Sequence, residues 1–185
     1  AVKIGGGMGN VARAPKDTTR FASVVSGYPR YVEGSRYWLQ WAGFPDTVYS
    51  ESHFTNDYND DYRSRGHWVN YLKNIQNVPV DMSFAFHSDA GITPDDSIIG
   101  TLGIYTSHQK DGSTEYPNGL SRETSRDLTD LVQTQIVSDV RHQFSPEWSR
   151  RGMWNQSYYE SRVPDVPAML LELLSHQNFS DMRYG

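Results

Sequence analysis

Two titratable side chains stand inside apolar runs. Glu172 interrupts "AMLLELL", and His87 closes "MSFAFH", with Asp89 two residues further on. A carboxylate moved out of water holds its proton to higher pH, the tuning that acid/base work near neutrality requires. Burial also fits a structural glutamate that has found a partner, since an ionised Glu is almost never buried alone. An imidazole can ligate a metal or carry a proton near pH 7, and it also occurs as a hydrogen-bonded core residue. Without cysteine, the chain has no disulfide or thiolate chemistry, and any metal site falls to His, Asp and Glu. The acidic stretch "NDYNDDY" offers Asp57, Asp60 and Asp61 as oxygen donors. It lacks the spaced Asp-Gly frame and distal Glu of a calcium loop, so it reads as a solvated loop or a cap for the next helix. His108 and His142 fall in a polar loop and at a polar helix end, where surface histidine is the ordinary case.

The elements that must position these residues alternate in character. "VKI" runs into the glycine-rich "GGGMGN" like a short strand entering a turn. "YVEGSRYWLQWAG" carries Val32, Tyr37, Leu39 (or Trp38) and Trp41 at roughly helical spacing and stops at Gly43, and "TVYS" reads as a brief strand. In "HWVNYLKNI" the residues Trp68, Tyr71, Leu72 and Ile75 form another helical face. "PVDMSFAFH" and "IIGTLGIYTS" are strand-like. The clearest helix is "SRETSRDLTDLVQTQIVSDVRHQF", with Leu128, Leu131, Val132, Gln135, Ile136 and Val140 near a 3.6 period behind a Ser121 or Thr124 cap. The run in "VPAMLLELLSHQNFSDM" is too short to span a membrane and fits a strand buried on both faces. Strands alternating with helices predict one α/β domain over residues 1–185, with a mixed, mostly parallel sheet flanked by helices. Ligands in such sheets sit beyond the carboxyl ends of strands, where His87 and Glu172 would lie.

The formal net charge of -5, with basic residues scattered along the chain, leaves no footprint for gripping nucleic acid. No apolar run is long enough to be a transmembrane segment. The 12 Tyr and 5 Trp, several in polar surroundings, suit a sugar- or peptide-lined cleft as well as a core and its rim.

At these residues the chain resembles the zinc-dependent N-acetylmuramoyl-L-alanine amidases that include cell-separation and sporulation amidases, and more narrowly a Bacteroidota-type variant. "SFAFHSDAG" is similar to a strand ending in a Ser-Ile-His-Ala-Asn-like motif, "GTLGIYTS" to the aromatic strand after it, and "SRETSRDLTDLVQTQIV" to the long helix. "VPAMLLELLSHQNFSDM" matches the closing Pro-Ala-Val-Leu-Val-Glu strand and its turn most closely. The resemblance covers nearly the whole chain in order and implies an amidase-3-like, phosphorylase/hydrolase-like fold. It implies Zn2+ as cofactor, His87 and Glu33 as metal ligands and Glu172 as the catalytic carboxylate. Glu33 by itself would be a solvated residue favoured at a helix start. Arg65 and Asn70 match positions expected to be structural, and Tyr105, Trp154 and Tyr158 are candidate groove residues. The implied substrate is peptidoglycan, in the bacterial cell envelope, periplasmic or exported, with room for association with other envelope proteins.

The resemblance breaks in one place. The family's first zinc ligand is a histidine in the glycine-rich loop, and "KIGGGMGN" has none. A catalytic zinc takes three protein ligands and a water. The third could lie upstream in a longer chain of which this is a fragment, or be His53, His67 or His176, or the metal could be absent. The last case gives a peptidoglycan-binding or scaffolding domain of the same fold, and a metal hydrolase acting on another amide or ester is a further alternative.

Overall fold

The structure, a computed structural model, describes residues 28–184. The expected "VKI" strand and the "GGGMGN" loop lie outside the described residues. Contacts group the chain into two compact units, residues 1–76 and 77–185, taken in turn.

The first unit is helical where described: α1 Arg30–Glu33, α2 Ser35–Trp41, α3 Asp46–Tyr49 and α4 Asp57–Asn70, which runs on into a π-helical turn, Tyr71–Ile75. The helix expected over "YVEGSRYWLQWAG" is two short helices, because Gly34 is extended between them. Gly43 follows α2 at φ +83°, the left-handed conformation that glycine adopts without a Cβ clash. The strand expected at "TVYS" is the single helical turn α3: Asp46 favours the helix start, and Val48 and Tyr49 are buried with Leu39 against Trp38, Phe44, Trp68 and Tyr71. Packing overrides strand propensity there. The acidic stretch is not a solvated loop. Asn56 caps α4 by accepting from the Asn59 N–H, and Asp60 and Asp61 are buried inside the helix. The Asp60 carboxylate accepts from Ser52 N at 2.7 Å and Ser50 Oγ at 3.2 Å. Asp61 accepts from Arg36 N and Arg65 Nη2, both at 3.1 Å, while Arg36 pairs with Asp57. These partners replace the water that burial removes.

The second unit holds the sheet: β1 Ser83–Asp89, β2 Leu102–Tyr105, β3 Trp154–Asn155 and β4 Ala168–Ser175, in the order β1-β4-β2-β3. β1 pairs parallel with β4 and β2 parallel with β3, and β2 and β4 are antiparallel, which makes the sheet mixed and mostly parallel. Helices flank it, as an α/β fold requires: α5 Glu123–Gln143, α6 Tyr159–Arg162 and α7 Phe179–Met182. The central strand β4 is buried from Ala168 to Leu171 and again at Leu174 and Ser175, as its unbroken apolar run predicts.

α5 forms, but it buries a different stripe from the one expected. Ser125, Thr129, Gln133 and Val137, four residues apart, face inward, while Leu131 is 70 % exposed. Close approach is the cause. At Gly103 in β2 an added Cβ would come 2.5 Å from Thr129 Cγ2, so small and polar residues meet a strand that has no side chain there. Gln133 Nε2 then donates to Thr101 O at 2.8 Å and Arg151 O at 2.9 Å, giving its buried amide partners that a leucine could not offer. At the start of α5, Ser121 Oγ accepts from Glu123 N while Thr124 Oγ1 donates back to Ser121 O. No helix among the described residues is long and apolar enough to cross a membrane.

Candidate functional site

Register places the two residues singled out by chemistry side by side. His87 of β1 is the Cα partner of Glu172 on β4, and Glu172 is in turn the partner of Leu102 on β2. Paired residues project to the same face of a sheet, so His87, Glu172 and Leu102 form one row. Just beyond, the register slips: Asp89 pairs with Ser175, leaving one more residue on β4 than on β1 between the two pairings. Such irregularities bend a strand and re-aim its side chains. Asp89 O accepts from His176 N at 3.0 Å, and Ser175 Oγ accepts from Gly91 N at 2.8 Å, so β1 leaves the sheet along the closing turn of β4.

Over this face lies α6, tied to the end of β2 through Ser161 Oγ and Thr106 Oγ1 at 2.7 Å. It carries Glu160, whose Oε2 is 2.9 Å from His87 Nε2. Asp89 in turn accepts from Arg151 Nη1 at 2.8 Å, and the Arg151 guanidinium lies 5.4 Å from the Trp154 ring centre. His87, Asp89, Arg151 and Glu160 all act electrostatically on Glu172, so these residues form one charged cluster at the ends of β1 and β4.

Glu172 is the unusual member. Its Oε2 is buried without a hydrogen-bond partner. Burial pushes its carboxyl above the ordinary value; the charges of His87 and Arg151 oppose this, and those of Asp89 and Glu160 add to it. Asp89 behaves in the opposite way. Burial alone would raise it, but hydrogen bonds from Arg151 and the Ala90 N–H, with the charges of Arg151 and His176, hold it below the ordinary value. Neighbouring carboxyl groups with their affinities for protons driven apart are the arrangement by which one site holds an ionised acid beside a protonatable one.

The second unit therefore brings His87 and Glu172 together. Glu33 closes α1 in the first unit. Of the candidate third ligands, His176 shares a 3.1 Å hydrogen bond between its Nδ1 and Ser88 Oγ, the Nε2 of His67 on α4 lies 3.4 Å from Glu51 Oε2, and His53 is exposed. Among the described residues no group of three or more His, Asp and Glu is gathered to hold a metal ion. The donors present in the second unit, an imidazole and carboxylates, are of types zinc accepts, and the Glu172 Oε2 among them has no hydrogen-bond partner. Of the metal ligands that the resemblance implies, His87 alone stands in this cluster. Trp154 and Tyr158 are exposed and Tyr105 is half-buried at the end of β2. Arg65 pairs with Asp61 within α4.

Sequence reasoning missed Glu160 and Arg151. Each lies in a polar stretch, "SYYES" and "WSRRG", in which a charged residue is unremarkable until the fold lays it beside the end of a strand. The one available signal was Asp89, two residues past His87, which needs a cation within reach. Comparison of the chain with protein-family models, with characterised proteins and with solved structures returns no match.

Proposed function

We propose that the chain is a zinc-dependent peptidoglycan amidase that hydrolyses the amide between N-acetylmuramic acid and L-alanine. The observation that carries this reading is the half-buried Glu172 carboxyl, with an unpartnered buried oxygen and a raised affinity for protons, on the strand next to His87. The bond itself comes from the sequence resemblance. His87 would hold the metal. Zinc, when bound, supplies charge that acidifies water and polarises the scissile carbonyl. Glu172 takes the proton of the attacking water and passes it to the departing L-alanine nitrogen. Arg151, held by Asp89 and set over Trp154, offers a cation and a ring to a substrate chain crossing the strand ends.

Elemental analysis of protein purified without chelator or added metal tests the reading. We expect near one zinc per chain, and loss of that zinc in His87→Ala with the fold retained. A folded protein that takes up no zinc contradicts it and supports a peptidoglycan-binding or scaffolding domain that does not cut.

A further inference from the structure

Glu160 answers a question the proposed reading leaves open, namely which of His87 and Glu172 partners the other. They are neighbours in one row across the sheet, and an imidazole beside a buried carboxylate would ordinarily donate to it. Here His87 Nε2 faces Glu160 Oε2 at 2.9 Å instead, and Glu172 Oε2 is left without a partner. Both members of the first pair are sheltered, with side chains 27 % and 14 % exposed. At that separation a lone pair on Nε2 would face the lone pairs of a carboxylate, which is repulsive, so the proton belongs on Nε2.

The element that carries Glu160 is held in place. α6 is a single turn, yet Ser161 and Arg162 beside Glu160 are buried. Ser161 Oγ meets Thr106 Oγ1, Arg162 Nη1 donates to Ser157 Oγ at 2.7 Å, and Arg162 O accepts from Gln109 Nε2 at 3.0 Å and Arg122 Nη1 at 3.1 Å. A carboxylate on so constrained a turn can fix a ring's orientation, which one on a loose loop cannot.

We propose that Glu160 is the positioning residue of the site: it fixes His87 in the tautomer with the proton on Nε2 and the lone pair on Nδ1, and it keeps His87 from donating to Glu172. Metal-bound histidines commonly give their second ring N–H to a carboxylate in this way. The inference rests on the zinc reading for its consequence, though the tautomer can be observed without metal. In 15N-histidine-labelled, metal-free full chain at a pH where the ring is neutral, long-range proton–nitrogen spectra should show His87 protonated at Nε2. Glu160→Ala should lose that preference and weaken zinc binding about 10- to 100-fold, measured by competition with a chromophoric chelator. Glu160→Gln, whose amide oxygen can still accept, should restore most of both, and it also guards against an Ala variant that fails to fold. Protonation of His87 at Nδ1 in the unaltered chain, or an unchanged tautomer in folded Glu160→Ala, overturns the inference. The Nε2 tautomer in a chain that binds no zinc would overturn the metal reading and leave the role of Glu160 standing.

Discussion

The raised proton affinity of Glu172 gives the site a pH signature with a definite sign. The proposed base works when ionised, so kcat/KM of the proposed amidase should fall on the acid side through an apparent pKa above the 4.5 ordinary for glutamate. A stopped acid limb at ordinary carboxylate pH would mean that a different group limits the reaction. Stability carries the same shift with its own sign. A carboxyl that binds its proton more tightly when folded contributes stability below its unfolded pKa, and that contribution is lost as pH rises through the folded value. Glu172→Gln should therefore lower kcat by about 10²- to 10⁴-fold while flattening this part of the stability profile, as denaturant titrations at several pH values would read. Asp89, held ionised by Arg151, acts in the opposite sense: its contribution is present above its unfolded pKa and is lost as pH falls through the folded one.

At the scale of elements, the contact between α5 and β2 decides how firmly the row of His87, Glu172 and Leu102 is backed. Gly103→Ala would drive a Cβ to 2.5 Å from Thr129 Cγ2 and 3.1 Å from Gln133 Oε1. We expect a cost of about 1–3 kcal/mol, read by chemical denaturation, because α5 must move outward and Gln133 then strains its bonds to Thr101 and Arg151. Wild-type stability in that variant would mean that α5 does not approach β2 this closely. The same contact shows what the sequence could reveal and what it could not. β1, β2, β4 and α5 follow from period and apolar content, and His87 and Glu172 stand out because each breaks an apolar pattern. The inward stripe of α5 was hidden because a helix facing a glycine strand selects Ser125, Thr129 and Gln133 rather than its leucines. Likewise "TVYS" turned helical because Val48 and Tyr49 had a core to enter, and the aspartates of α4 were buried because serines, arginines and backbone N–H groups far along the chain met them. Glu160 and Arg151 depend wholly on such long-range placement, and no local pattern marks them.

At the scale of the whole molecule, the net charge of -5 and the scattering of basic residues along the sequence offer no footprint for a polyanion, and no described helix is long and apolar enough to cross a membrane. The substrate of the proposed reaction is a polymer, peptidoglycan. Product analysis on that polymer is the most direct test. Zinc-supplemented protein is incubated with purified peptidoglycan, and the soluble products are identified by mass spectrometry and N-terminal labelling, with Glu172→Gln run in parallel. The account predicts peptide stems bearing a newly freed L-alanine amino group from the unaltered chain and none from the variant. Intact stems still joined to muramic acid after incubation with folded, zinc-loaded protein would contradict it.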